Sequence, residues 1–264
     1  MSDVGRWLFR GGYLAMLLFL VAPIVVVVGT SLNAAPAVTF PPDTVSTRWY
    51  AALLADADWT RAIGNSLVTA TATSIFATAL GVMGALGIRQ LNSGLRTAVS
   101  GLAVVPLLVP GVVLGVTLLV FFSEFGVQQQ PWTIVFAHSL WATPLTFSVM
   151  RATFSRFDWD LRDAANDLGA GPFRAFREVV GPNILPGLAA AALIAFVVSL
   201  QEFVMTLFLS GRNSRTVPVE AWFSLRNSLD PLVSVTSTLL VVAVLAMIAA
   251  GAAAVGLDRI ASDT

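Results

Sequence analysis

Cysteine and lysine are absent from this chain, and there is a single histidine, His138. Without cysteine neither a disulfide framework nor a thiolate metal site is available, and one histidine excludes a multi-histidine metal centre within the chain. A phosphate-cradling loop of the form G-x-x-x-x-G-K-[ST] needs its lysine to reach the nucleotide phosphates. With no lysine the chain has no such loop, so any ATP chemistry belongs to another polypeptide. Charge of either sign is scarce: charged residues are 11% of 264 and cancel to a formal net charge of zero. Nothing in that balance marks a nucleic-acid surface. No paired motif such as H-E-x-x-H occurs, which leaves an intramembrane enzyme without support.

What is present is apolar. Hydrophobic residues make up 56% of the chain and the mean hydropathy is +0.82, the profile of a polytopic membrane protein. A hydrocarbon core about 30 Å thick takes roughly 20 apolar residues at ~1.5 Å each. Six segments are long enough, at 12–32, 65–88, 98–122, 132–150, 186–210 and 232–256, and none contains an arginine. Backbone groups in lipid must bond within their own segment, so these are helices. The expected fold is all-α: one transmembrane domain over residues 1–264 with six transmembrane helices. Ala35-Pro36-Ala37 has the form of a signal-peptide cleavage site. The apolar run before it is longer than a signal core and five more spans follow, so the first span is expected to be retained.

Arginine distribution orients the spans. Arg6, Arg10, Arg89, Arg96, Arg151, Arg156, Arg162, Arg174, Arg177 and Arg259 fall on one side; Arg48, Arg61, Arg212, Arg215 and Arg226 fall on the other. The excess of positive charge places the first side, with both termini, in the cytoplasm. Within the spans, Gly81, Gly84 and Gly87, and Gly111 and Gly115, permit close helix–helix approach. Pro106 and Pro110 interrupt the third span, where neighbouring helices or water must meet the freed carbonyls. Tight bundle packing is the favoured reading, and a kinked span lining a solute path is the alternative.

One stretch is polar. In "LRDAANDL", Leu161, Ala164, Ala165 and Leu168 fall at helical spacing and form an apolar stripe among Arg162, Asp163, Asn166 and Asp167. Gly169 suits a helix C-terminus, and Pro172 the first turn of a second helix carrying Phe173, Phe176 and Val180. Pro182 and Pro186 are expected to end that helix before the fifth span. From the residues alone, the loop 160–186 is either an interfacial element lying on lipid or a partner-docking element.

"DAANDLGAGPFRAFREVVGP" resembles the EAA signature of the permease subunits of bacterial binding-protein-dependent ABC importers. Asp163-Ala164-Ala165, Gly169, Val179 and Pro182 keep its spacing; Asp163 stands where that family usually has glutamate, and Gly181 where it usually has leucine. "NSLVTATATSIFATALGVMGAL" and "SLQEFVMTLFLSGRNSRTVPVEAWFSLRNSLDP" are similar to the spermidine/putrescine permease group. The resemblance implies a type I ABC importer permease fold in the bacterial inner membrane, with Leu161–Leu168 as the cytoplasmic coupling helix. Leu161, Asp163, Ala164, Ala165, Leu168 and Gly169 would couple it to a cytoplasmic ATP-binding subunit dimer that holds ATP and magnesium, while this chain binds no cofactor itself. A second permease subunit, favoured as a different chain, and an extracytoplasmic solute-binding protein would complete the system. A stand-alone secondary transporter would instead show inverted repeats and denser intramembrane acids, and neither is visible.

An ionisable group inside a span costs roughly 2–3 kcal/mol and usually faces a cavity or a partner. Glu202 in the fifth span and His138 in the fourth qualify, with Glu124 at an outer span end. Glu202 stands eight residues before Ser210, about 12 Å below the outer end of a continuous helix. It is either a pathway group, the favoured reading, or an acid bonded to a neighbouring helix through His138 or Gln201. His138 is favoured as a packing residue, and Trp141, Phe203, Thr206 and Gln201 are further candidates for the pathway. One acid and no arginine within the spans lean toward a cation or zwitterion. Many polyamine-type sequences carry two acids where this one has Gln201-Glu202, which leaves a zwitterionic or anionic solute open.

Overall fold

The computed structural model describes residues 3–36, 39–227 and 230–255. Ala37, Gly256 and Arg259, which entered the readings above, lie outside the described residues. Twelve α-helices are described: α1 (Asp3–Ser31), α2 (Arg48–Ala55), α3 (Ala57–Gly87), α4 (Ser93–Ala103), α5 (Gly111–Glu124), α6 (Pro131–Arg156), α7 (Asp160–Asp167), α8 (Pro172–Ala175), α9 (Gly181–Gln201), α10 (Val204–Leu209), α11 (Val217–Asn227) and α12 (Pro231–Val255). The described residues form no strand, only isolated bridges. Contacts group the chain into two units, Met1–Arg61 with Glu220–Leu245, and Ala62–Val219 with Ala246–Thr264.

In the first unit, α1 is apolar and mostly exposed, as expected of a helix whose solvent is lipid or another chain. Its end is pinned by short-range polar bonds: Thr30 donates to Ser234 Oγ at 3.1 Å, and Ser31 Oγ meets Tyr50 OH at 2.9 Å. Trp49 Nε1 donates to the Asn33 carbonyl at 2.9 Å. Asp56 caps α3, its Oδ1 accepting from the backbone N–H of Asp58 and Trp59.

The second unit holds the main apolar core, where Phe147, Met150 and Phe154 of α6 pack with Val180, Ile184 and Ala191 around α9 and with Ala85 and Ile88. Small residues set how closely the helices meet. A Cβ on Gly81 would run into Thr146 Oγ1 and lie 2.8 Å from the Phe147 backbone nitrogen, and Thr146 Oγ1 already donates to the Ala77 carbonyl at 2.7 Å. A Cβ on Gly84 would lie 3.2 Å from the Phe147 ring, whereas Gly87 has nothing within 4 Å, so Gly81 and, less tightly, Gly84 support the expected close approach and Gly87 does not.

Three expectations about the spans change. The third span is not one kinked helix over 98–122. α4 ends at Ala103, a 3-10 turn covers Val105–Leu108, and α5 leaves at 90° after Pro110. Pro106 and Pro110 remove two amide donors, and Trp141 Nε1 meets the Pro106 carbonyl at 3.1 Å. Five helices are therefore long and apolar enough to cross a bilayer by themselves, or six when the bent pair is counted as one span. Second, Pro182 and Pro186 do not end the helix after the polar loop. A π-helical turn, Phe176–Val180, carries α8 into α9, and Asn183 Nδ2 donates to the Val179 carbonyl at 2.8 Å. Pro172–Gln201 thus forms one apolar rod of 30 residues, about 45 Å long at ~1.5 Å per residue. Third, the fifth span stops at Gln201 instead of continuing to 210: Glu202 is extended, with ψ 121°, and the short α10 follows.

Candidate functional site

The two ends of that rod carry the residues singled out by sequence, all within the second unit. At the start of the loop, α7 is an eight-residue helix with no buried residue. Leu161 is 48% exposed and Leu168 90%, with Ala164 exposed and Ala165 half-buried between them. The apolar stripe is thus displayed most at Leu168 and partly packed at Leu161 and Ala165 among the described residues. Asp163 is exposed and accepts from Arg162 Nε and Nη2 at 2.9 and 2.6 Å. Gly169 has φ +88°, the left-handed conformation that any side chain resists. Its N–H donates to the Asn166 carbonyl at 2.9 Å and the Ala170 N–H to the Ala165 carbonyl at 3.0 Å, closing the helix end.

α7 is held from behind. Trp159 donates its Nε1 to the Phe154 carbonyl at 3.1 Å, and the guanidinium of Arg89, from the turn after α3, lies 3.3 Å from its ring centroid. Sequence reasoning did not single out this pair. The tryptophan standing directly before the polar helix was the available sign.

At the other end, the chain break is built on Glu202. Its Oε1 accepts from the Met205 N–H at 2.8 Å, and its Oε2 from the Thr206 N–H and hydroxyl at 3.0 Å each. The carboxylate thereby satisfies orphan donors in the first turn of α10, where the helix dipole also favours negative charge. His138 of α6 sits against it, with Nε2 2.7 Å from Thr206 Oγ1 and 3.3 Å from Glu202 Oε2, while Nδ1 is 2.7 Å from Ser199 Oγ. All four side chains are buried.

Hydrogen counting selects a protonation pattern. The single Thr206 hydroxyl hydrogen goes to Glu202, so Nε2 must carry a hydrogen that it shares between Thr206 Oγ1 and Glu202 Oε2. In the neutral ring Nδ1 is then the acceptor of the Ser199 hydroxyl. Three donors meet Oε2 and one meets Oε1, so the carboxylate is held in place at both oxygens while Oε1 keeps a second acceptor direction.

The structure therefore brings His138, Glu202 and Thr206 together and adds Ser199, which sequence reasoning missed. Ser199, Glu202 and Thr206 at spacings of three and four in an apolar run were the signal for it. Gln201, the last residue of α9, is exposed. Trp141 is not in the cluster; it packs over Gly111 and Phe122 and holds the Pro106 carbonyl. Among the described residues no three His, Asp or Glu side chains gather to hold a metal ion.

Interrupted apolar helices, a displayed surface helix and a continuous rod between them are the parts of a membrane permease. The fold matches a bacterial ABC transporter involved in import of the acidic polysaccharide alginate, with a TM-score of 0.71 over 94% of this chain and 95% of that one at 16% identity. Residues 77–261 match the family model described as binding-protein-dependent transport system inner membrane component, and the chain belongs to that family. It is 28% identical to the spermidine/putrescine transport system permease protein PotC of Escherichia coli K12, over 94% of this chain and 93% of that protein. It is 31% identical to the putrescine transport system permease protein PotI of the same strain, over 86% and 83%. A third relative is the putative 2-aminoethylphosphonate transport system permease protein PhnV of Salmonella typhimurium, 30% identical over 61% of each chain. The protein is a multi-pass inner-membrane permease subunit of an ABC importer.

Proposed function

We propose that α7 is the coupling helix through which a cytoplasmic ATP-binding subunit drives this permease, and that the cargo is a small polar solute of the polyamine type. The observation that carries the coupling assignment is the displayed stripe of Leu161 and Leu168, on a helix closed by Gly169 and followed at Pro172 by a rigid rod. An apolar stripe exposed on an otherwise charged helix suits a groove on another protein. Closure of the ATPase dimer on ATP binding would push α7, and the 30-residue rod would carry that displacement to the Gln201–Glu202 break. The arginine bias supports placing α7 and both termini in the cytoplasm. A second permease subunit, favoured as a different chain, would supply the other wall of the path, and a binding protein would deliver solute from outside.

At the break, Glu202 acts by positioning. Both its oxygens are held by α10 and one also by His138, so it fixes where α10 begins, and the exposed Gln201 beside it is taken as the polar group that meets solute. The substrate class rests on the relatives, two of which are named for spermidine or putrescine. A zwitterionic or anionic solute is the second reading. It is favoured by the structural engagement of Glu202 at the start of α10, the neutral Gln201 and the aminophosphonate named for the third relative.

The test is reconstitution with the ATPase, permease and binding protein encoded beside it, followed by ATPase stimulation across spermidine, putrescine, zwitterionic amines and small anions. Stimulation by the polyamines supports the first reading. Stimulation only by a zwitterion or anion replaces it with the second, and no solute-dependent stimulation by any panel member removes both.

A further inference from the structure

Three arginines converge at one end of the second unit. Arg89 after α3, Arg96 of α4 and Arg151 of α6 line a cavity of about 420 Å³ floored by Ile88 and Phe154, with Ser155 at its side, and none of the described residues lining it is acidic. Arg96 spends Nη2 on the carbonyls of Arg89 and Leu91 at 3.3 Å each, and Arg89 stacks on Trp159. Arg151 forms no hydrogen bond or ion pair among the described residues. Three like charges around one hollow repel one another unless an anion joins them, and guanidinium groups match phosphate oxygens in geometry and charge.

A second hollow lies beside the first, on the other side of their shared residue Ile88. An apolar crevice of about 370 Å³ runs between Phe76, Leu80 and Ile88 of the α3 side and Phe136, Leu140 and Phe147 of α6, and Ile88 lines both. Val99 of α4 closes it on one side. From Ile88 to Phe76 the helix rises about 18 Å, close to the ~15 Å depth of one leaflet of a 30 Å hydrocarbon core. A basic hollow next to an apolar slot of leaflet depth matches the two parts of a phospholipid.

We propose that this composite site binds an anionic phospholipid, its phosphate on Arg89, Arg96 and Arg151 and one acyl chain in the crevice beneath α4. Assigning it to the cytoplasmic leaflet rests on the orientation proposed above; the site itself does not. Basic pockets between membrane helices are suited to such headgroups, and a bound lipid would brace α4 where the chain turns by 90° into α5.

The absence of native cysteine permits a single label. The full chain carrying Val99→Cys, modified with a bimane fluorophore, is purified in detergent and titrated with phosphatidylglycerol or phosphatidylcholine bearing the same brominated acyl chains. Quenching is expected at a lower mole fraction of phosphatidylglycerol. Replacing Arg151 or Arg96 by Gln should cut that preference about fivefold each, the factor for one basic residue at an anionic surface. Monodisperse elution of each variant in phosphatidylcholine shows that folding survives. Equal quenching by both lipids, or a preference that survives Arg96→Gln with Arg151→Gln, overturns the proposal. So does displacement of phosphatidylglycerol by inorganic phosphate alone, which would make the site one for a soluble anion. Shielding of the label from both lipids once the second permease is bound would make it a subunit interface and equally overturn it. None of these readings depends on ATPase coupling or cargo.

Discussion

The Nε2 atom of His138 on α6 lies 3.3 Å from Oε2 of Glu202, at the point where α9 gives way to α10, and both side chains are buried. The histidine thus stabilises an interruption in a membrane helix by touching the carboxylate that makes it. Replacing Glu202 with Gln keeps the size but turns one acceptor into a donor facing N–H groups, which leaves buried donors unpaired at a cost of roughly 1–3 kcal/mol. We expect Glu202→Gln to lower the apparent melting temperature in detergent, and Glu202→Asp to lower it less. Unchanged melting of Glu202→Gln with transport abolished would mean that the acid contacts solute and that its role is not confined to the break.

Gly81 and Gly87 make a matched pair on one helix. A methyl group at Gly81 meets Thr146 and the backbone at Phe147, and overpacking of this kind typically costs 1–3 kcal/mol. A methyl group at Gly87 meets nothing within 4 Å. Gly81→Ala should therefore reduce thermal stability while Gly87→Ala leaves it unchanged or slightly raised, through helix propensity. Equal melting curves for the two would contradict the packing described.

How far the sequence reached depends on where each structural signal resides. The helix of the polar loop and its end were legible because their determinants are local: apolar spacing at Leu161, Ala164, Ala165 and Leu168, then a glycine that takes φ +88°. Pro106 and Pro110 announced an interruption, but its angle is settled by distant contacts such as Trp141 with the Pro106 carbonyl. Pro182 and Pro186 announced a stop that does not occur: a π-helical turn carries α8 into α9, with Pro182 in the first turn of α9, where a missing donor costs little. The break at Glu202 was not legible at all. No glycine or proline marks it, and it is made by a side chain bonding the backbone ahead of it, with support from a residue of another helix.

Gly169 tests the coupling assignment. Its φ of +88° lies outside the range open to proline, so Gly169→Pro must shift the end of α7 without touching any long helix. The variant is expected to insert in the membrane and reach normal levels while solute uptake falls and ATPase activity no longer tracks it. Uptake and ATPase measured side by side in proteoliposomes decide this, and normal solute uptake would remove α7 from its proposed role.

Leu168 tests the docking surface separately from the fold. At 90% exposure it contributes little to the stability of this chain, and a surface change there should stay within about 0.5 kcal/mol. Leu168→Asp, however, puts a charge where an apolar contact with the ATPase subunit is proposed. Melting should be unchanged and co-purification of the ATPase subunit lost. Retained co-purification, with uptake intact, would show that α7 faces lipid.

Gln201 offers the sharpest test of cargo, because it is exposed beside the break while its neighbour Glu202 is buried against α10 and His138. If the cargo is a polyamine, Gln201→Glu adds a carboxylate facing the path and should raise uptake of spermidine relative to a zwitterionic amine. Gln201→Arg should lower it, by about tenfold for ~1.4 kcal/mol of charge interaction. Exposure of the side chain means that neither variant should shift the melting temperature. Competitive uptake of the two labelled solutes in proteoliposomes reads the ratio directly. A ratio indifferent to both substitutions would move the selective step away from this break and onto the binding protein or the second permease. An increase in anion uptake by Gln201→Arg would instead assign the path to a negatively charged solute.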